Sequence, residues 1–148
     1  MKTISSTLRV SLLLAIAFIS CSKENKILER STRFLIGDRW VFERHGLDEN
    51  NNGIVEETEN NMLPCEVDDT YAFFANGSGF YEGGPVPCSM GETTIINFNW
   101  RFENNCTELA IFAAPEKISQ LDENILEVYY MDVNSRGELV KYIRRFRH

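Results

Sequence analysis

Histidine is scarce in this chain: its 148 residues include two, His45 and His148. His45, beside Asp48, reads as a solvated loop residue, and His148 is the last residue. Ser78, Ser89 and Ser119 stand in no nucleophile-elbow context, so a catalytic triad has no parts to draw on. Asp68 and Asp69 are adjacent. On a strand they point to opposite faces and cannot share a proton, which leaves them a turn or strand-start role. No Cys-x-x-Cys spacing occurs, which sets aside zinc and thioredoxin chemistry. The chain reads as a non-enzyme. Basic residues are also short. Lys2 and Arg9 lie in an N-terminal leader, so the remaining 13 basic residues face 22 acidic ones, a net charge of −9. That balance excludes a nucleic-acid binder, which needs a basic footprint. No internal repeat and no low-complexity linker follow residue 30.

Residues 1–20 have the form of a secretory signal peptide. Lys2 and Arg9 make a charged start, and Val10 to Ile19 is an apolar run broken by Ser11. It is about half the ~20 residues that span a bilayer, and polar Ser22, Lys23, Glu24 and Asn25 follow at once. The leader ends Phe18-Ile19-Ser20-Cys21, which resembles the lipobox of bacterial lipoproteins. The resemblance implies cleavage before Cys21, lipidation of Cys21 and firm anchoring by several acyl chains. The expected location is the bacterial cell envelope, as an outer membrane lipoprotein. Residues 21–34 would form a tether and a short helix ended by Gly37. Three cysteines remain, and in an oxidising compartment one pair and one leftover is the natural count. Cys65 with Cys88 is the favoured pair, closing a loop worth ~3 kcal/mol in the chain-entropy model. Cys106 is then a buried free thiol, unless it replaces one member of that pair.

After Gly37 the hydrophobic pattern turns to period two. Strands are expected over Trp40 to Arg44, weakly over Ile54 to Glu59, and over Thr70 to Ala75, Ser78 to Glu82 and Thr93 to Glu103. Glu108 to Ala113, a short Ile118 to Leu121, Ile125 to Val133 and Glu138 to Arg147 follow. Asn76-Gly77 is a tight-turn signal. In the clearest segment Ile96, Phe98, Trp100 and Phe102 face one way while Asn97, Asn99 and Arg101 face water. About eight short strands with regular turns and almost no helix predict an all-β, eight-stranded, antiparallel up-and-down barrel with a short N-terminal helix. The domain is placed at residues 35–148. Trp40 is expected to plug the barrel floor. Lys141, Arg144, Arg145, Arg147 and His148 form a basic end, read as a solvated outer strand face.

Several segments together resemble the lipocalin-like domains of bacterial envelope lipoproteins. They are Leu35-Ile36-Gly37-Asp38-Arg39-Trp40, Pro64-Cys65-Glu66-Val67-Asp68-Asp69-Thr70-Tyr71-Ala72-Phe73, Ala75-Asn76-Gly77-Ser78-Gly79, Trp100 and Ile118-Ser119-Gln120-Leu121. The resemblance covers residues 35–146. It implies an eight-stranded barrel with a helix near one end, and no particular activity.

Asp48-Glu49-Asn50-Asn51-Asn52-Gly53-Ile54-Val55-Glu56-Glu57-Thr58-Glu59 matches the EF-hand loop template. Asp48, Asn50 and Asn52 would give side-chain oxygens, Ile54 its carbonyl, Glu56 a direct or water-mediated ligand, and Glu59 a bidentate one. Calcium is the metal such hard oxygens select. An Asn-rich turn between strands accounts for the same residues without metal.

Two functions compete. In the first, the barrel carries a small apolar ligand, walled by Tyr71, Phe73, Phe98 and Trp100. In the second, a solid-packed barrel recognises an envelope protein partner through residues 46–62 and the loop Gly83 to Met90. The abundance of interior rings favours a filled or shallow cavity. Either way the protein is expected to be a monomer, with its membrane contact made through the lipid.

Overall fold

A computed structural model describes residues 24–89 and 95–148. The expected leader, the expected lipidation at Cys21, Met90 and the expected strand start at Thr93 lie outside the described residues. A helix, α1 (24–35), precedes eight strands. These are β1 (Trp40–Leu47), β2 (Thr70–Phe73), β3 (Ser78–Glu82), β4 (Ile95–Glu103), β5 (Glu108–Ile111), β6 (Ala114–Leu121), β7 (Ile125–Val133) and β8 (Leu139–Arg147). Each pairs antiparallel with the next, and β8 returns to β1, so the sheet closes on itself. Closure removes the free edges that an open sheet would present. Among the described residues, no helix is long and apolar enough to cross a membrane.

Turn chemistry sets the register. Gly77 adopts φ 81° between β2 and β3, and the Asn76 side chain accepts the Ser78 N–H at 3.0 Å. Asn104, Asn105 and Cys106 are all left-handed between β4 and β5, a conformation that asparagine tolerates better than most residues. Asn134 Oδ1 accepts the N–H groups of Arg136 and Glu138 at 3.0 and 2.9 Å, closing the β7–β8 hairpin.

Period-two alternation puts one face of each strand inside. Phe42 pairs with Phe146, and Leu126 with Phe146 on the other side. Phe73, Phe98, Trp100, Leu109 and Val128 join them in one buried cluster. Trp40 is fully buried at the end that α1 covers. Its Nε1–H donates to the Leu35 carbonyl at 3.0 Å, and its ring lies 3.7 Å from that of His148. The rings and aliphatic groups of this floor supply most of the hydrophobic driving force, at ~25 cal/mol per Å² removed from water.

Three expectations are corrected. Residues 54–59 form no strand; their backbone bonds to nearby side chains instead of a neighbouring strand. β6 begins at Ala114, four residues before the expected Ile118, because Pro115 pairs with Ala110 at the short β5–β6 hairpin. Residues 21–34, expected to divide into a tether and a short helix, are helical from residue 24 onward.

Candidate functional site

Above the apolar floor the inward-facing positions change character. On β8 the inward phase runs Val140, Tyr142, Arg144, Phe146, and on β7 it runs Leu126, Val128, Tyr130. The β1 register shifts between Phe42 and Arg44, a bulge. The extra residue turns Arg44 outward and His45 inward. His45 stacks on Phe42 with ring centroids 5.2 Å apart. It is therefore an interior residue of β1, with a side chain 15% exposed, and not the solvated loop residue expected. The basic end divides similarly: Arg144 points into the barrel and Arg145 out of it.

Arg144 and Glu116 form a two-pronged ion pair across the mouth. Nε meets Oε2 at 3.1 Å and Nη2 meets Oε1 at 2.6 Å. The side chains are 23% and 12% exposed, so solvent screens this pair far less than a surface one. Beside it, the His45 ring bonds through Nε2 to Glu66 at 3.3 Å and through Nδ1 to the Tyr142 hydroxyl. Tyr142 stacks on Tyr130 at 5.1 Å. Tyr71 touches Tyr81, Phe98 and Phe146 at 5.3, 6.1 and 5.1 Å.

Burial raises the Tyr71 phenol above its ordinary value; Asp69, Glu116 and Glu66 push the same way and Arg144 opposes them. Burial likewise raises Tyr142, reinforced by Tyr130, Glu66 and Asp132 against Arg144. Burial and then Asp132 and Glu116 raise Tyr130. All three phenols thus stay protonated at neutral pH and present O–H donors. The mouth offers flat ring faces, hydroxyl donors and one guanidinium–carboxylate pair.

Two loops frame it, joined by the disulfide Cys65–Cys88, whose Cα atoms are 5.3 Å apart. Cys106 is the free thiol, half-buried against α1, and burial raises its pKa while a bond to Ser31 lowers it. Asp69, buried, accepts from the Tyr81 hydroxyl at 2.8 Å and from Gly84 N–H at 2.9 Å, so it also ties the second loop to the strands.

The four expected wall residues all face the interior. Phe73, Phe98 and Trp100 sit in the buried cluster, Phe73 at 5.4 Å from Phe98 and 5.9 Å from Trp100. Trp100 Nε1–H is bonded to the carbonyls of Phe74 and Ser78. Tyr71 is the member nearest the polar groups of the mouth. His45, Tyr130, Tyr142, Arg144 and Glu116 were missed. The signal available was an arginine on the inward phase of β8, between Tyr142 and Phe146.

The loop of residues 48–59 gathers its six candidate ligands in one turn, on the outside of the barrel. Buried Asp48 accepts Asn52 N–H and Gly53 N–H, both at 2.9 Å. Asn50 Oδ1 accepts Asn52 N–H at 3.0 Å, and Asn52 Oδ1 accepts Ile54 N–H at 2.8 Å. Asn52 Nδ2–H donates to Glu56 at 3.0 Å, and the Glu59 oxygens accept Glu49 N–H and Glu56 N–H at 2.9 and 3.0 Å. Asn51 and Gly53 are left-handed, φ 57° and 83°. Strand β1 precedes the loop, and a bridge of Asn60 to Gly46 follows it, where an EF-hand has helices. Among the described residues no group of three or more His, Cys, Asp or Glu is arranged to hold a metal ion. The loop closes through its own N–H groups, and this geometry lends calcium no support.

No protein-family model matches the chain, and no curated protein matches it.

Proposed function

We propose that this protein is a lipocalin-like carrier, held by a lipid at Cys21 in the bacterial envelope, whose barrel mouth takes one small, largely apolar ligand. The observation that carries the reading is the division of the interior into an apolar floor and a polar, aromatic mouth. The ligand's apolar body rests on Tyr71 and Phe98, with Phe73 and Trp100 supporting them from below. Its polar end meets the hydroxyls of Tyr71, Tyr130 and Tyr142 and the Arg144–Glu116 pair. A largely apolar pocket with a few convergent polar groups is the usual build of a small-molecule site. The groups ringing the mouth are phenols, an imidazole and an ion pair, which suit binding better than bond cleavage.

A second reading has one observation of its own. Leu63, Val67 and Val86 are exposed on the two loops that the disulfide joins, a placement suited to a protein partner. Native mass spectrometry of the protein gently purified from its own host separates the two. One small molecule per chain supports the carrier. An added mass of protein size supports the partner. A chain carrying neither refutes the carrier reading.

A further inference from the structure

A concave site lies outside the barrel. The loop of residues 48–59 folds back over the outer faces of β1 and β6–β8 and leaves a cleft of about 400 Å³. That volume falls within the range of small-molecule sites. Arg44, Arg145, Glu43 and Glu127 line it, with Ile54 and Val55 from the loop.

The charges in the cleft are unevenly matched. Arg145 Nε meets Glu43 at 3.0 Å and its Nη1 meets Glu127 at 2.9 Å. Glu127 also accepts the Ser119 hydroxyl at 2.7 Å. Burial alone would lower the Arg145 pKa, but these bonds outweigh it and raise the pKa. Both glutamates are thus committed to Arg145. Arg44 has no carboxylate partner among the described residues. Its Nη1–H donates to the Val55 carbonyl at 2.8 Å, and its Nε, buried, has no acceptor. A buried donor without an acceptor is a standing cost that an incoming oxygen relieves. The edge left over is Nε with Nη2, the same edge with which Arg144 grips Glu116 in two parallel bonds. That edge matches the spacing of two carboxylate oxygens. Beside it lie the apolar side chains of Ile54, exposed, and of Val55 and Ile143, buried. Gly53 lines the same cleft with open space where a Cβ would stand, so nothing crowds that rim.

We propose that this outer cleft binds a small organic carboxylate with an aliphatic tail, the carboxylate held side-on by Arg44 and the tail lying on Ile54. The site is separate from the barrel mouth and does not depend on the carrier reading.

Sodium hexanoate is the probe, added to the full chain while the Arg44 Nε–H resonance is followed by NMR. A saturable shift is expected, with hexanol at the same concentrations leaving that resonance in place. Arg44→Gln should weaken hexanoate binding about tenfold or more, the loss of a charge-assisted pair of bonds. Ile54→Glu, an exposed position where folding is not at stake, should weaken it similarly by repelling the anion. An unmoved Nε–H resonance, an equal response to hexanol, or unchanged affinity in Ile54→Glu would overturn the proposal. Should Arg44→Gln fail to fold, Ile54→Glu decides alone.

Discussion

Removing Glu116 tests whether the mouth is built on its ion pair. Glu116→Leu leaves the Arg144 guanidinium, 23% exposed, without the carboxylate that now grips it through two bonds. Breaking a fully buried pair costs ~3–5 kcal/mol. Partial access to water reduces that here to roughly 2–3 kcal/mol. For a domain of roughly 120 residues this corresponds to a fall in Tm of about 8–12 °C. Glu116→Leu/Arg144→Met removes both charges. The new side chains would stand on the inward face beside Leu109, Ile118 and Val128. The double variant should lose less than about 1 kcal/mol, because hydrophobic replacements of a buried pair are often neutral. Arg144→Met strands the still more buried Glu116 and should cost about as much as Glu116→Leu, so the coupling, measured by urea unfolding of all four proteins, is then about 3 kcal/mol or more. Arg144→Met should also raise the Tyr71 pKa further, since Arg144 is the group that opposes its upward shift. A double variant that loses as much as the two single losses added together would refute the argument. So would a single variant within about 0.5 kcal/mol of the parent.

Other expectations follow from single features. Because Tyr71, Tyr130 and Tyr142 have pKa values raised above the ordinary 10.0, the folded state holds their protons longer than the unfolded chain does. Their contribution to stability is complete below pH 10 and declines as pH rises past it; a phenolate absorbance titration should show these three ionising late or together with unfolding. Reducing Cys65–Cys88, a span of 23 residues, should cost about 3 kcal/mol on the chain-entropy account, and equal denaturation midpoints with and without reductant would count against it. A chelator should leave Tm unchanged, since the oxygens of Asp48 and Glu59 are held by the loop's own N–H groups; a fall of several degrees would reveal a bound metal. Gly79→Ala would set a methyl 2.4 Å from the Ala72 carbonyl and from the Phe98 ring, and should destabilise the barrel by at least ~2 kcal/mol in thermal unfolding.

The strands were readable because a half-buried sheet imposes period two, and Ser78 to Glu82 and Ile125 to Val133 match their expected bounds. The site was harder to read for identifiable reasons. The expected first strand stops at Arg44, which leaves His45 in a loop; β1 runs on to Leu47, and a bulge that composition does not reveal turns His45 inward. Ile54 and Val55, followed by Glu56 to Glu59, imitate a strand, yet the asparagines ahead of them offer the backbone local partners that win over pairing. The basic run ending β8 has the composition of an outer face, yet period-two alternation counted from buried Phe146 puts Arg144 inside. Glu116 lay outside the expected strand altogether, so its meeting with Arg144 was not available to sequence spacing.

The seam where β8 meets β1 joins residues about a hundred positions apart, Phe42 with Phe146, whereas every other strand pairs with its chain neighbour. This gives folding an order in time. The β7–β8 hairpin, paired along its whole length, closes a short loop and can form early, while the seam waits on the entropy of bringing the chain's two ends together. Substitutions in the hairpin should therefore act chiefly on the folding rate, and substitutions along the seam on the unfolding rate. The barrel's lifetime rests on the last contact it makes.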